Sequence, residues 1–358
     1  MRPIRRFPPL HLQRWIRWSL TLLVLASAGA LAAADEPAAG AAPADPAAEA
    51  AQSRALGRAS DAVVGVRTLA VTGARSADTL GPARQGSGVV IDRDDLVLTI
   101  GYLILEADQV QLLLDDGREL PARVVAYDVA TGFGLVQSLA PTRLEPVPLG
   151  QAGALAPDEP LMVVSGGKDG GISLARLVSQ RPFSGYWEYH IDGALFTAPA
   201  RMDHSGAALF NARGELLGIG ALFVHNALGE DAPRLPGNMF VPVDLLKPIL
   251  QELRVRGSSA QSRRAWIGVN CVELNGAVRV VRVSTDGPAD LAGVLPGDRI
   301  VRIDGNDVGT LGNLWKLLWA GGHPERVITL DIERGTEAKR LTLKTVDRMT
   351  MLKHAEGI

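Results

Sequence analysis

Ser205 is a candidate nucleophile, because its side chain is a hydroxyl group. It lies in the short stretch Asp203-His204-Ser205-Gly206-Ala207. A serine hydroxyl attacks a carbonyl group only when a neighbouring base takes its proton and a third group orients that base. The histidines of the chain are His11, His190, His204, His225, His323 and His354. His204 adjoins Ser205, so its ring is expected to point away from the hydroxyl. His190 and His225 therefore remain as candidates for a base, although such histidines more often lie at the surface or hydrogen-bond within the fold.

Short apolar and β-branched runs, separated by Gly and Asp, predict that β-strands position this stretch. The first set of runs is 62–66, 88–91, 96–98, 110–114, 124–126 and 133–136. The second set is 161–164, 172–178, 186–191, 207–210 and 216–222. Asp-Asp-Gly at 115–117 predicts a hairpin turn, and the glycine-rich residues 166–171 predict another turn, since they do not match a phosphate-binding loop. This pattern is typical of a barrel or a sandwich.

The C-terminal third of the chain reads as a helix, a linker and a compact unit. Apolar spacing predicts a helix over 243–253, with Asp244 in its first turn and Pro248 in or just after that turn. Residues 254–264 are polar and predict a linker. Residues 265–346 predict a further unit, with a turn at 295–298 and a helix over 310–319. Residues 347–358 are expected to form a tail.

Composition bounds the class of protein and its partners. The chain has 358 residues, 47% of them hydrophobic, and a net charge of −2. This predicts two or three domains with proper cores, and no nucleic-acid partner, since basic residues are not in excess. The histidines and the single cysteine lack metal-ligand spacing, so neither a metal nor another cofactor is expected. Cys271 lies in an apolar run and is expected to be buried.

The N-terminal residues have the pattern of an export signal. Basic residues precede an apolar run at 19–33, and small residues at 30–34 offer a cleavage site. We expect residues 1–34 to be cleaved and the protein to be periplasmic. The alternative is an uncleaved membrane anchor, although a span needs about 20 apolar residues. Residues 35–54 are rich in Ala and Pro and predict a disordered linker.

Stretches in four places resemble the HtrA/Deg family of exported serine proteases in their order and spacing. They are 86–91, 115–128, 205–219 and 240–243. The resemblance implies a mainly β fold, in which a chymotrypsin-like double β-barrel over 55–253 is followed by a PDZ domain over 265–346. It also implies a homotrimer.

The same resemblance assigns the positions of a catalytic triad, two of which carry unsuitable residues. Ser205 stands at the nucleophile position, Tyr102 at the position of the base and Gly132 at that of the acid. A tyrosine with a pKa of about 10 is not a base at neutral pH, and glycine has no side chain. Asp203 replaces the oxyanion-hole glycine, where a carboxylate would either oppose the developing negative charge or distort the loop. Loss of triad members costs on the order of 10⁴ to 10⁶ in turnover. These residues predict a pseudoprotease.

The C-terminal unit resembles a PDZ domain. Its carboxylate-binding loop would be formed by Trp266, Ile267, Gly268 and Val269. Backbone N–H groups of such a loop bind a peptide C-terminus, and the neighbouring strand accepts the peptide as an added strand. Leu311, Trp315 and Leu318 share one helix face and either line the peptide groove or belong to the core.

Together these residues favour a protein that binds exported or misfolded polypeptides, peptide C-termini or an active HtrA-type relative, without hydrolysing them. One alternative is an active serine endopeptidase that uses Ser205 with a non-standard base. Another is a structural partner at the membrane, in which neither site is used. Trp187, Tyr186 and Tyr189 either line a protein contact or pack within the second barrel.

Overall fold

The structure is a computed structural model that describes residues 46–155 and 159–353. The expected export signal at 1–34, most of the linker that follows, and the histidines at positions 11 and 354 lie outside the described residues. The described residues all belong to one compact unit, 45–358. No helix within the described ranges combines the length and the apolar character needed to cross a membrane.

The first element corrects the prediction of disorder, because residues 46–54 belong to helix α1 (Pro46–Asp61). Ala, Glu, Gln and Arg dominate this segment and are strong helix formers, so it forms a helix although it contains few large apolar side chains. Ala59 is buried against the core. The carbonyl oxygen of Ala55 lies 2.6 Å from where a Cβ of Gly214 would stand, so this close approach requires glycine at 214.

The first barrel confirms the strands predicted between residues 62 and 136. Its strands are β1 (Val63–Ala70), β2 (Ala83–Val90), β3 (Leu96–Ile100), β4 (Ala107–Leu113), β5 (Glu119–Tyr127) and β6 (Phe133–Ser138). They are antiparallel and close in the order β1-β2-β3-β6-β5-β4. Helix α2 (Ala77–Leu80) precedes β2, and helix α3 (Gly101–Ile104) follows β3. Gly117 adopts a φ of 84° in the predicted turn between β4 and β5, a conformation that favours glycine.

The second barrel follows the same plan. Its strands are β7 (Pro160–Ser165), β8 (Gly171–Gly185), β9 (Tyr189–Ala198), β10 (Ala208–Phe210), β11 (Leu216–Val224) and β12 (Gly237–Pro242). They close in the order β10-β11-β12-β9-β8-β7, and a 3₁₀ turn, Ala152–Ala154, precedes β7. The strand predicted over 186–191 is wrong in its first half, since 186–188 connect β8 to β9. The backbone of these residues pairs with the C-terminal unit instead.

The predicted helix over 243–253 is divided in two. A 3₁₀ turn, Val243–Leu245, is followed by helix α4 (Leu250–Arg256). Pro248 lies between them. The helix is interrupted there because proline has no N–H group to donate within a continuous helix. The predicted linker over 254–264 therefore starts inside α4. A further 3₁₀ turn, Ala260–Ser262, lies within it, and the hydroxyls of Ser259 and Ser262 donate to the buried carboxylate of Asp128. These bonds fasten the linker to the first barrel.

The C-terminal unit has its own sheet and core. Its elements are β13 (Ala265–Trp266), β14 (Val269–Leu274), β15 (Ala277–Val283), α5 (Pro288–Leu291), β16 (Arg299–Ile303), β17 (Asn306–Asp307), α6 (Leu311–Trp319), β18 (Val327–Arg334), β19 (Glu337–Lys344) and β20 (Val346–Asp347). The sheet order is β14-β15-β16-β18-β19, with β17 on β16, and β13 pairs with β20. Asp347, assigned to the tail, is thus part of this unit, and a 3₁₀ turn, Arg348–Met351, follows it. Cys271 is buried as expected, and burial raises the pKa of its thiol.

Candidate functional site

The fold brings Ser205 and Tyr102 into direct contact. Ser205 lies in the loop before β10, and Tyr102 lies on α3, directly after β3. The hydroxyl groups of Tyr102 and Ser205 are hydrogen-bonded, with their oxygen atoms 2.8 Å apart. The backbone N–H of Ser87 on β2 donates to the carbonyl oxygen of Ser205 at 2.8 Å, which ties the loop to the first barrel. The predicted base position therefore faces the predicted nucleophile.

The phenol of Tyr102 is held in its neutral form. Burial raises the pKa of Tyr102 to about 12, although the hydrogen bond to Ser205 opposes the shift. The same hydroxyl lies 2.9 Å from the carbonyl oxygen of Ala221, which can only accept. A phenol has one proton, so both contacts are satisfied only when Tyr102 donates to Ala221 and the serine hydroxyl donates to Tyr102. In either arrangement the oxygen beside Ser205 belongs to a neutral phenol, which is a very weak base.

Gly132, at the position of the acid, lies next to this pair. Its backbone conformation and its surroundings leave little room for a carboxylate side chain. Its carbonyl oxygen accepts from the N–H of Gly101, the residue before Tyr102, at 2.7 Å. Gly132 has a φ of 81°, and a Cβ there would lie 3.1 Å from the hydroxyl of Tyr189. Tyr189 in turn donates to the carbonyl oxygen of Thr131 at 2.6 Å. A side chain at residue 132 would thus begin in tight contact with a tyrosine hydroxyl, on a backbone conformation that favours glycine.

Asp203 is paired rather than free. Arg201 Nε donates to its carboxylate at 2.9 Å, and Arg201 Nη2 and Ser165 Oγ donate to the other oxygen. Partial burial raises the pKa of Asp203, but the bonds from Arg201 and Ser165 outweigh it, so the pKa lies below the ordinary value. The carboxylate is therefore ionised at neutral pH, with its charge offset by the guanidinium.

The described histidines do not supply the missing base. His204 Nδ1 pairs with the carbonyl oxygen of Arg201 at 3.1 Å, and His190 Nδ1 pairs with Ser184 Oγ at 2.8 Å. Burial lowers the pKa of both rings. His225 stacks edge-on against Phe223. Within residues 46–155 and 159–353, the hydrogen-bond partner of the Ser205 hydroxyl is Tyr102, and His, Cys, Asp and Glu form no cluster suited to a metal ion.

The predicted carboxylate-binding loop does hold a carboxylate, but it comes from this chain. The backbone N–H groups of Ile267, Gly268 and Val269 donate to Glu188 Oε1 at 3.2, 2.8 and 3.3 Å. Glu188 is only 4% exposed. Trp266 contributes its backbone to β13, and its indole packs beside Gly268, whose φ is 82°. Sequence reasoning missed Glu188, and its signal was a lone carboxylate within the aromatic run 186–189.

The helix face of Leu311, Trp315 and Leu318 belongs to the core of the C-terminal unit. All three side chains are buried in that cluster. The indole N–H of Trp315 also donates to the carbonyl oxygen of Gly185 at 3.1 Å. The face is therefore core, and one edge of it contacts the last residue of β8.

Comparison with protein families matches both parts of the chain. A model of the trypsin-like peptidase domain matches residues 86–219, and a model of the PDZ domain matches residues 265–345. A probable periplasmic serine endoprotease DegP-like of Hahella chejuensis is 28% identical over 268 residues, which cover 70% of this chain and 55% of that relative. The putative serine protease HhoA of Synechocystis is 26% identical and covers 74% of this chain and 71% of its own length. The chain spans about half the length of the first relative.

Solved structures share the fold. The HtrA-type protease AlgW with a tripeptide aligns with a TM-score of 0.52 at 21% identity, covering 83% of this chain and 97% of AlgW. The serine endoprotease from Yersinia pestis aligns with a TM-score of 0.51 at 22% identity, covering 86% and 99%. With a trypsin-like peptidase domain and a PDZ domain in this order, the chain belongs to the HtrA family.

Proposed function

We propose that this protein is an exported, non-hydrolytic member of the HtrA family that binds polypeptides through its PDZ domain and barrels. The observation that carries the proposal is the hydrogen bond between Ser205 Oγ and the neutral phenol of Tyr102. General-base catalysis needs a group that accepts the serine proton near pH 7. A hydroxyl whose pKa is raised to about 12 is protonated there and cannot do so.

The surroundings of Ser205 support the same proposal. Residue 132 is a glycine, so it has no side chain to orient a base, and Tyr189 occupies the adjoining space. Loss of triad members lowers turnover by on the order of 10⁴ to 10⁶, because the members act as a unit. Ser205 is then a retained loop residue whose hydroxyl packs against Tyr102.

Binding is supported by the loop at 267–269, whose N–H groups converge on a carboxylate in this structure. Converging backbone donors of this kind recognise peptide C-termini. The ligands we propose are exported or misfolded polypeptides, peptide C-termini and an active relative of the same family, and the assembly we propose is a homotrimer. Export is supported by relatives that are named as periplasmic.

The test combines labelling with turnover. The wild-type protein and Ser205→Ala are treated with a fluorophosphonate, which labels serines activated by a base, and the adduct is sought at residue 205 by mass spectrometry. Cleavage and binding of unfolded fluorescent casein are measured on the same samples. We expect no adduct, no cleavage above that of Ser205→Ala, and equal casein binding by both. Chymotrypsin treated alongside shows that the reagent and the substrate are sound.

An active serine endopeptidase is the second candidate, and it is favoured by the relatives, which are named as proteases, and by the retained hydroxyl at residue 205. It requires an adduct on the wild-type protein that Ser205→Ala lacks, together with casein cleavage that Ser205→Ala abolishes. That result would refute the non-hydrolytic proposal.

A further inference from the structure

The turn between β8 and β9 contacts the edge of β14 through antiparallel pairing at its tip. Trp187 pairs with Asn270 in an antiparallel bridge. The N–H of Cys271 donates to the carbonyl oxygen of Tyr186 at 2.7 Å. An extended segment that adds antiparallel to this strand edge is the arrangement in which a PDZ domain receives a peptide. Here residues 185–188 of the same chain, which are the last residue of β8 and the turn after it, lie at this strand edge. We call them the internal segment.

The last residue of the internal segment, Glu188, places its carboxylate at the carboxylate-binding loop. Glu188 stands after Trp187 in the direction of the chain, so the order along β14 is Tyr186, Trp187 and then the carboxyl group at the loop. The three N–H groups at 267–269 donate to it. The side-chain carboxylate of Glu188 thus takes the position at which a peptide would present its terminal carboxylate.

Contacts on the other sides hold the internal segment in place. Across the groove, the Trp315 indole on α6 donates to the carbonyl oxygen of Gly185 at 3.1 Å. Trp187 stacks on Tyr189 with ring centroids 5.5 Å apart and an interplanar angle of 16°. Arg348 Nη1 donates to the backbone carbonyl of Glu188 at 3.2 Å. The segment therefore has partners on β14, on α6, in the second barrel and in the C-terminal 3₁₀ turn.

We propose that the internal segment is a built-in ligand of the PDZ groove, and that a peptide C-terminus from outside binds only by displacing it. This inference rests on the proposed polypeptide-binding function and states how that function is regulated. The partner that fits is an extended segment that ends in a carboxylate, since the N–H groups at 267–269 already hold one here.

The competition is unequal, because the internal segment is covalently joined to the barrel at both ends. A tethered ligand loses little translational freedom when it binds, so its effective concentration is high. An outside peptide binds only the fraction of molecules whose groove is open, and its apparent affinity falls by that fraction. Removal of the Glu188 carboxylate leaves buried N–H groups without an acceptor, which favours an outside carboxylate.

The test measures peptide binding by fluorescence anisotropy on the full-length protein. The probe is a fluorescein-labelled octapeptide of residues 180–187 with a free carboxylate, and the same peptide with a C-terminal amide is its control. The variants are Glu188→Ala and Trp187→Ala, which removes the stacking on Tyr189 and leaves the carboxylate. The matched control is Asp192→Ala, which removes an exposed carboxylate from the same hairpin.

We expect Glu188→Ala to bind the free-carboxylate peptide at least about tenfold more tightly than wild type, the effect of a single lost hydrogen bond to a charged group. Trp187→Ala should also bind it more tightly than wild type, by a smaller factor, because the Glu188 carboxylate remains. Asp192→Ala should bind as wild type does, and the amide should bind weakly throughout. Amide hydrogen exchange at 267–269 should be slow in wild type and faster in Glu188→Ala without peptide. This second measurement also reports whether each variant is folded.

The outcomes separate the two proposals. Equal peptide binding by wild type and both variants would overturn the internal ligand and leave the proposed function standing. Slow exchange at 267–269 in Glu188→Ala would overturn it as well. Absence of binding to wild type and to both variants, with casein binding also absent, would overturn the proposed function and the internal ligand together.

Discussion

Stability should fall as the pH rises from 5 to 8, because Glu188 is buried. Burial raises the pKa of Glu188 to about 7, although Arg348 and the N–H groups at 267–269 oppose the shift. In the unfolded chain the group has its ordinary pKa of about 4.3. Between these values the folded protein binds a proton that the unfolded chain does not. The stabilisation is therefore fully present below the unfolded pKa and is lost as the pH rises through the folded pKa.

The magnitude follows from the part of the pKa shift that lies above pH 5, which is about two units. One pKa unit corresponds to 1.36 kcal/mol, so the free energy of unfolding should decrease by about 3 kcal/mol between pH 5 and pH 8. Other charged and titratable groups near Glu188 are Arg348, whose charge favours the ionised carboxylate, and Cys271, whose thiol pKa is raised by burial. The raised thiol pKa keeps Cys271 neutral in this window, so the effect is assigned to Glu188.

The assay compares urea unfolding of wild type and Glu188→Gln at intervals from pH 5 to pH 8. His190 and His204 act in the opposite sense, since burial lowers the pKa of each and charging them at low pH destabilises the fold. These histidines contribute equally to both proteins, so the difference between the two isolates Glu188. The difference in the free energy of unfolding between wild type and Glu188→Gln should change with pH. If it stays constant from pH 5 to pH 8, or if wild type gains stability relative to Glu188→Gln as the pH rises, the reasoning is refuted.

Two further substitutions test the site and the linker. Tyr102→His alone should cleave no more casein than wild type. Residue 132 is a glycine at φ 81° and Tyr189 fills the adjoining space, so nothing orients the new ring. Measurable cleavage that depends on Ser205 would contradict this. Asp128→Ala should lower the free energy of unfolding by about 3 kcal/mol, since buried hydroxyl and N–H donors lose their acceptor. A decrease of less than about 1 kcal/mol, measured by urea unfolding, would contradict this prediction.

Local pattern predicted the elements whose signals are short-ranged. The barrel strands follow from apolar runs between Gly and Asp, and the turn at 115–117 follows from its Asp-Asp-Gly sequence. Helix α6 ends at Trp319 as predicted and begins one residue after the predicted start, because Thr310 is the N-cap that accepts from the N–H of Asn313. In each case the residues that determine the structure are adjacent in sequence.

The remaining features depend on contacts between residues far apart in the chain. Residues 186–188 have strand-forming side chains, and only the edge of β14, more than 80 positions away, determines that their backbone leaves the barrel. Helix α1 contains strong helix formers but few large apolar side chains, and the contact that orders it is the packing of Ala59 against the distant barrel core. Glu188 carries no motif of its own, because its importance comes from three N–H groups in another domain.

Neighbouring residues of the hairpin connect the two sites. Glu188, the last residue of the turn, reaches the loop at 267–269, while Tyr189, the first residue of β9, reaches Thr131, beside the acid position at Gly132. An aspartate at 132 would conflict with the Tyr189 hydroxyl, and a shift of Tyr189 would remove the ring on which Trp187 stacks. The geometry that holds the internal segment in the PDZ groove is thus the same geometry that excludes a catalytic acid, so a change that restores one site disturbs the other.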